Sequence, residues 1–368
     1  MKKGTENSKG FTPDTKIYVA GHKGLVGSAI WKNLHERGFT NLVGRSHTEL
    51  DLTDAVAVKE FFDKEKPEAV ILAAAKVGGI MANSRYRADF IVQNLSIQQN
   101  VITEAWRHGV KHLLFLGSTC IYPRNAHQPI TENELLTSPL EYTNEPYAIA
   151  KIAGIKMCES LNLQYGTEYL SVMPTNLYGP NDNFDLENSH VLPAMIRKMH
   201  LSAMLFDNKF DGIRKDLNSR PIPGYSSTWS DLEISEALSK YGIYPDRLEL
   251  WGSGTPLREF LWSEDMADAS VYVLLNVKFQ DLAERAGSDV RNTHINIGTG
   301  IENSIATTTN IIKDVIGYKG NILWDKTKPD GTMRKLCDVT KIHELGWRHS
   351  VELGEGIKQL YKWYLENS

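Results

Sequence analysis

The chain has 368 residues, enough to bury a large core and to form two lobes. Its net charge is −4 on an ordinary globular composition, which excludes a general attraction to nucleic acid or to an anionic membrane surface. Its 3 cysteines (Cys120, Cys158, Cys337) show neither metal-ligand spacing nor a paired framework; they suit a reducing compartment, and no apolar leader precedes them, so the cytoplasm is the expected location.

Residues 1–14 are polar and read as a mobile tail. Lys16–Ala20 then predicts a short apolar strand. Gly21-His22-Lys23-Gly24-Leu25-Val26-Gly27 follows, and Leu25–Glu36 predicts a helix through Ile30, Trp31 and Leu34. This is G-x-x-G-x-x-G at a strand-to-helix turn. Glycines there permit a tight turn and close approach of the backbone to a pyrophosphate, which faces the helix N-terminus. No Gly-Lys-Ser/Thr closes the motif, so it is not a P-loop. A short strand at Asn41–Gly44 comes next. Sites for NAD often place a carboxylate after that strand; here Arg45-Ser46-His47 stand there, and no acid appears before Glu49. Cations at Arg45, Lys23 and His22 suit the 2′-phosphate of NADP(H). Either Arg45 or His47 could make the closer contact, with Asp51 and Leu52 near the adenine.

Further on, Ala55–Glu65 predicts a helix, Ala69–Ala75 a buried strand, Ile91–His108 a long helix and His112–Gly117 a strand. Ala69–Ala75 is the longest apolar run and far too short to span a bilayer. Tyr147–Tyr165 predicts a helix and Tyr169–Met173 the next strand. This alternation predicts an α/β, doubly wound parallel sheet of Rossmann type, with ligands beyond the carboxyl ends of its strands. Tyr147 and Lys151 are four apart and share one helix face. A cation there can lower a phenol pKa and prepare it for proton transfer, and Ser118 can hold a carbonyl oxygen against it. Ser118 and Cys120 are i and i+2; if strand geometry persists they point to the same side. Taken alone, Cys120 reads equally as a small buried apolar residue, His190 as an ordinary residue in a helix's first turn, and Arg258 and Lys335 as solvated charges.

After Pro180 the pattern changes. A helix is expected over His190–His200, a capping box at Ser230-Asp231-Leu232-Glu233, helices over Trp262–Asn276, Ile305–Ile316 and Val351–Glu366, and a strand over His294–Ile297. The expected organisation is a cofactor domain over 15–180, with segments near 260–300 returning to it. A smaller, discontinuous substrate lobe over 181–258 and 301–368 completes it, with an insertion at about 203–250.

The glycine turn, Ser118 at a strand end and the Tyr147/Lys151 pair together resemble the extended short-chain dehydrogenase/reductases. The stretches 21–30, 116–123, 144–154, 173–180, 251–260 and 328–335 are similar to the family's bifunctional sugar-nucleotide epimerase-reductases, and the likeness runs from residue 16 onward except over Ala203–Leu250. The resemblance implies epimerisation at C3 and C5 of a GDP-4-keto-6-deoxy sugar, then NADPH-dependent reduction at C4. It implies that Tyr147 donates the proton at C4, that Lys151 holds the nicotinamide ribose and that Ser118 binds the C4 oxygen. Cys120 would be the base of epimerisation and His190 the acid. It further implies cofactor contacts from Leu116, Gly117, Ser118, Thr119, Lys151, Pro174, Thr175, Asn176, Leu177 and His190. Lys198, Trp251, Arg258, Asp330 and Lys335 would contact the sugar nucleotide. No metal is implied, and a homodimer is the expected assembly. A 4-epimerase or 4,6-dehydratase on the same fold is the alternative enzyme, although Cys120-Ile121 stand where the dehydratases carry acids. A catalytically silent relative would be expected to lack the Tyr or the Lys; both are present.

Overall fold

The computed structural model describes residues 9–328 and 330–367. Six parallel strands form the central sheet, in the spatial order Leu42–Val43, Ile17–Ala20, Ala69–Leu72, His112–Leu116, Glu168–Pro174, Ile295–Ile297. Four of the strands, Ile17–Ala20, Ala69–Leu72, His112–Leu116 and Glu168–Pro174, have almost every residue buried, as a parallel sheet covered on both faces requires. One apolar layer packs Ile30 and Leu34 of the first helix with Met266, Val273 and Leu274 against one face. On the other face, Phe61, Phe62, Val101, Ile102, Ile152 and Ile155 make the second layer. The strand order reverses at Ile17–Ala20, which has the second strand on one side and the third on the other. A doubly wound sheet opens its ligand crevice at such a reversal.

Two compact units divide the chain. The first comprises 1–177, 259–301 and 336–350 and contains the six-stranded sheet. The second comprises 178–258, 302–335 and 351–368. In the second unit, helices Val191–Phe206, Ile305–Ile316 and Leu353–Glu366 pack with a parallel strand pair, Arg247–Trp251 and Asn321–Asp325.

The segment 203–250 is folded. It holds helices Phe210–Ser219 and Asp231–Ser239, and Ser230 and Glu233 close the expected capping box. Arg197, buried on helix Val191–Phe206, donates to the Asp216 carboxylate from Nε at 3.0 Å and Nη2 at 2.8 Å. The Tyr364 hydroxyl donates to the same carboxylate. A fully buried ion pair holds only when its remaining bonds are satisfied, and here they are.

Of the expected tail, residues 1–8 lie outside the described residues. The rest is packed: Phe11 is buried against Phe39 and His112, and Lys9 pairs with Glu168 at 3.4 Å. The polar composition of 1–14 concealed that one aromatic anchor.

Candidate active site

The turn after the first strand is built for close approach. Gly21 has φ +86°, and a Cβ on it would stand 2.8 Å from the Ala74 nitrogen. A Cβ on Gly27 would stand 2.0 Å from the Gly21 carbonyl oxygen. Helix Leu25–Glu36 begins at Gly24, where no side chain caps the first N–H groups. The result is a cradle of backbone donors at the positive end of a helix, at the reversal of the sheet. These features fit a dinucleotide pyrophosphate.

Charge gathers beside the cradle. The His22 ring lies against Gly44, where a Cβ would meet it at 2.6 Å, and is tilted at 44° to the Trp31 ring, 5.3 Å away. Burial, Lys23 and Arg45 depress its basicity, with Glu49 opposing. Arg45 is engaged on two sides. Its guanidinium pairs with Glu65 at 2.5 Å and donates to the Gly44 carbonyl at 2.8 Å, so the fork is fixed at the end of the second strand. Glu49 turns its carboxylate back onto Ser46, accepting from its N–H at 2.7 Å and its hydroxyl at 2.6 Å. The first acid after the second strand is therefore engaged locally. His47 is 81% exposed, 4.0 Å from Asp51. Asp51 accepts from Thr53, and the Leu52 carbonyl from Asn100.

Helix Glu145–Tyr165 starts with Pro146 in its first turn and carries Tyr147 and Lys151. Lys151 is buried, and its Nζ donates to the Leu116 carbonyl at 2.8 Å, at the carboxyl end of the fourth strand. Desolvation brings its pKa down to about 7. At Tyr147, burial and the neighbouring Cys120 push the phenol above its usual range, while a hydrogen bond with Ser118 pulls the other way. The Lys151 ammonium, held by the Leu116 carbonyl, stands 5.8 Å from the Tyr147 ring. Tyr147, Ser118 and Cys120 are nonetheless gathered at one point: one bonds the phenol and another acts on it through charge.

Ser118 and Cys120 do not continue a strand. Thr119–Ile121 is a tight helical turn, capped by Ser118, whose hydroxyl accepts from the Cys120 N–H at 3.2 Å. That local side-chain bond outcompetes the ladder geometry expected for i and i+2. The turn is anchored just beyond, where the buried Tyr122 hydroxyl reaches Asn296 at 2.5 Å and His294 at 3.0 Å. Asn296 is itself held: its N–H donates to Glu132 at 3.0 Å and its amide to the Ile130 carbonyl. Tyr122 lay inside the stretch 116–123, but His294 and Asn296 carried no motif of their own; their only sequence signal was polar residues inside an apolar segment.

Leu116 is buried, Gly117 donates to the Val172 carbonyl and Thr119 is 3% exposed. Pro174–Leu177 emerges from the fifth strand, where the Thr175 N–H bonds the Ile297 carbonyl at 3.0 Å. These positions share the carboxyl ends of neighbouring strands with Lys151.

The second unit holds the other expected residues. His190 sits immediately before helix Val191–Phe206, with an exposed surface, and crowding around its ring lowers its basicity. Lys198 lies on that helix, its amine depressed by desolvation. Trp251 ends its strand 64% exposed, with the Lys328 ammonium 5.6 Å from the ring. Arg258 donates to the Leu257 carbonyl at 2.7 Å, and the Asp330 charge acts on it. Asp330 accepts from the Ser253 N–H and hydroxyl at 2.9 and 2.7 Å, and Lys335 is half-buried. Asp330 is thus engaged by Ser253, whereas Trp251 presents its ring to solvent.

A glycine cradle at a sheet reversal, with Ser118 at an adjoining strand end and Tyr147 and Lys151 on the helix beside it, defines a nucleotide-dependent enzyme acting at a carbonyl. The chain belongs to the NAD dependent epimerase/dehydratase family, which matches residues 17–212 and 234–298. It is 49% identical to GDP-L-fucose synthase 1 of Arabidopsis thaliana over 99% of this chain and 97% of that one. It is 48% identical to GDP-L-fucose synthase of Escherichia coli (strain K12), over 96% of this chain and 97% of that one. A solved GDP-D-glycero-L-gluco-heptose synthase from Campylobacter jejuni, in the presence of NADPH, superposes with a TM-score of 0.89. That structure is 43% identical, and the match covers 96% of this chain and 99% of that one.

Proposed function

We propose that this chain converts GDP-4-keto-6-deoxy-D-mannose to GDP-L-fucose with NADPH, by epimerisation at C3 and C5 followed by reduction at C4. The observation that carries this reading is the gathering of Ser118, Cys120 and Lys151-flanked Tyr147 at the carboxyl ends of the sheet. A C4 ketone acidifies the hydrogens on C3 and C5, so one base can serve both carbons. Cys120 takes each proton as a thiolate. Ser118 and Tyr147 hold the oxygen on which the charge collects. His190 returns a proton from the opposite face, which inverts the carbon. NADPH, when bound, supplies the hydride for C4. Tyr147 then gives its proton to the C4 oxygen; its raised pKa keeps it a phenol, the form needed for this direction. Lys151 holds the ribose and offsets the phenolate left behind.

We assign the first unit to the cofactor and the second, through Lys198, Trp251, Arg258, Asp330 and Lys335, to the sugar nucleotide. Stoichiometric oxidation of NADPH on addition of GDP-4-keto-6-deoxy-D-mannose tests this, and no oxidation would overturn it.

NADPH is preferred over NADH because His22, Lys23 and Arg45 flank the cradle while Glu49 is spent on Ser46. Arg45→Asp should erode that preference. Equal kcat/KM for the two cofactors in the parent enzyme would remove it.

Lys151 sets an expected pH dependence. The amine is a cation below its pKa and neutral above it, and its role requires the cation. In the free enzyme that pKa is brought down to about 7. So kcat/KM for NADPH, which reports the free enzyme, should fall as pH rises through about 7. A profile flat from pH 6 to 9 would contradict this role.

The assembly we propose is a homodimer. Helices Arg87–Arg107 and Glu145–Tyr165 expose Val92, Ile149 and Leu163, apolar surface that a second copy would cover. We place it in the cytoplasm, since Cys120 acts in this scheme only as a reduced thiol. Among the described residues no helix is long and apolar enough to cross a membrane.

A further inference from the structure

We propose that Glu259 is a positioning residue: its buried side chain and backbone carbonyl fasten together three segments of the first unit, and so hold Pro174–Leu177, where strand Glu168–Pro174 passes into strand Asn176–Tyr178, in its cofactor-binding conformation. This rests on the reading of that segment as the nicotinamide side of the site.

Glu259 is fully buried, yet no lysine or arginine pairs with its carboxylate among the described contacts. Backbone groups take that place. Oε1 accepts from the N–H of Thr299 at 2.6 Å and of Gly300 at 2.7 Å. Oε2 accepts from the Cys337 N–H at 3.1 Å. Burial pushes the carboxyl upward, and these donors pull it back. The residue's own carbonyl accepts from the Asn176 side-chain amide at 2.8 Å and from the Thr175 hydroxyl at 3.4 Å. One residue therefore holds the segment after the fifth strand, the segment after Ile295–Ile297 and the start of 336–350.

A second feature is independent of these bonds. Gly298 faces the same carboxylate, and a Cβ there would stand 2.2 Å from Oε1. The backbone has left room for the carboxylate where any side chain would displace it. The held groups also share a place in the chain. The first unit's segments end or begin at 177, 259, 301 and 336, and Thr175, Asn176, Thr299, Gly300 and Cys337 all lie within a few residues of those points. Strands Leu257–Trp262 and Asn176–Tyr178 are hydrogen-bonded neighbours, and the multidentate buried acceptor ties that pair to the segments at 299–300 and 337. The neighbours Arg258 and Lys335 belong to the sugar-nucleotide set, but the Glu259 bonds themselves run to the cofactor-side segments.

Two variants test this. Glu259→Gln replaces one acceptor oxygen by an NH2 group, which meets an N–H donor instead of accepting from it. Gly298→Ala leaves the charge and displaces the carboxylate. Each should weaken NADPH binding, read by calorimetric titration, by about tenfold or more, the effect of losing one charge-assisted hydrogen bond. Cofactor-free deuterium exchange at C3 and C5 of GDP-4-keto-6-deoxy-D-mannose should stay within about threefold of the parent, since Cys120 and Ser118 sit on a different strand end. Unchanged NADPH affinity in either folded variant would overturn the proposal. So would a parallel loss of affinity and exchange in proportion to lost folded protein, since that is the mark of core stability alone. Should the parent enzyme itself show no exchange, the proposed reaction fails, and the NADPH titration against circular dichroism still decides the role of Glu259.

Discussion

Tyr147→Phe should bring NADPH oxidation down by about a hundred- to ten-thousand-fold, the usual cost of losing one general acid. The phenol is the only group placed to protonate the C4 oxygen in this scheme. It is half-buried, hydrogen-bonded to Ser118, and held as a phenol by its raised pKa. Removing one oxygen leaves the ring, its edge-to-face contact with Phe90 at 6.4 Å, and the glycine cradle in place. NADPH should therefore still bind with near-parental affinity. A variant within a few-fold of the parent rate would show that another group delivers the proton.

Cys120→Ser should stop epimerisation at its source. In deuterated water without NADPH, the parent enzyme should wash deuterium into C3 and C5 of the keto sugar. An alcohol is a far poorer base than a thiolate, so the variant should slow this exchange by a factor of at least about a hundred. The oxygen of serine is close to sulfur in position, and the turn Thr119–Ile121 is held by Ser118 and Tyr122, so the fold should persist. Tyr147→Phe should leave exchange largely intact while abolishing reduction. His190→Asn should retain some exchange but impair return of the proton from the other face. Parental exchange in Cys120→Ser would assign the base to another residue.

Much of the first unit was legible because its signals are local. Gly21 and Gly27 sit where backbone meets backbone, and the run Ala69–Leu72 is apolar throughout because both sheet faces are covered. The Tyr147 helix was expected two residues short of its start at Glu145, since Pro146 in a first turn extends a helix rather than ending it. The site's finer geometry was not legible, because long-range or side-chain bonds decide it. Ser118 turns the chain back through the Cys120 N–H, which strand periodicity does not reveal. Arg45 is claimed by Glu65, twenty residues on, across the end of a helix. Lys151 is fixed by a carbonyl at the end of the fourth strand, a partner that helix periodicity does not reveal. Glu259 stood inside a recognisable stretch, but only the fold shows that backbone N–H groups, not a cation, satisfy it. The family match breaks at 213–233, inside the segment that Arg197 and Asp216 hold to the second unit.

Product identification tests the central claim most directly. The enzyme is incubated with GDP-4-keto-6-deoxy-D-mannose and NADPH, and the product is read by proton NMR. The predicted result is GDP-L-fucose, with inverted configuration at C3 and C5, a new hydrogen at C4 and one NADPH consumed per molecule formed. A C4-reduced sugar with C3 and C5 unchanged, or turnover only with a GDP-heptose, would contradict it.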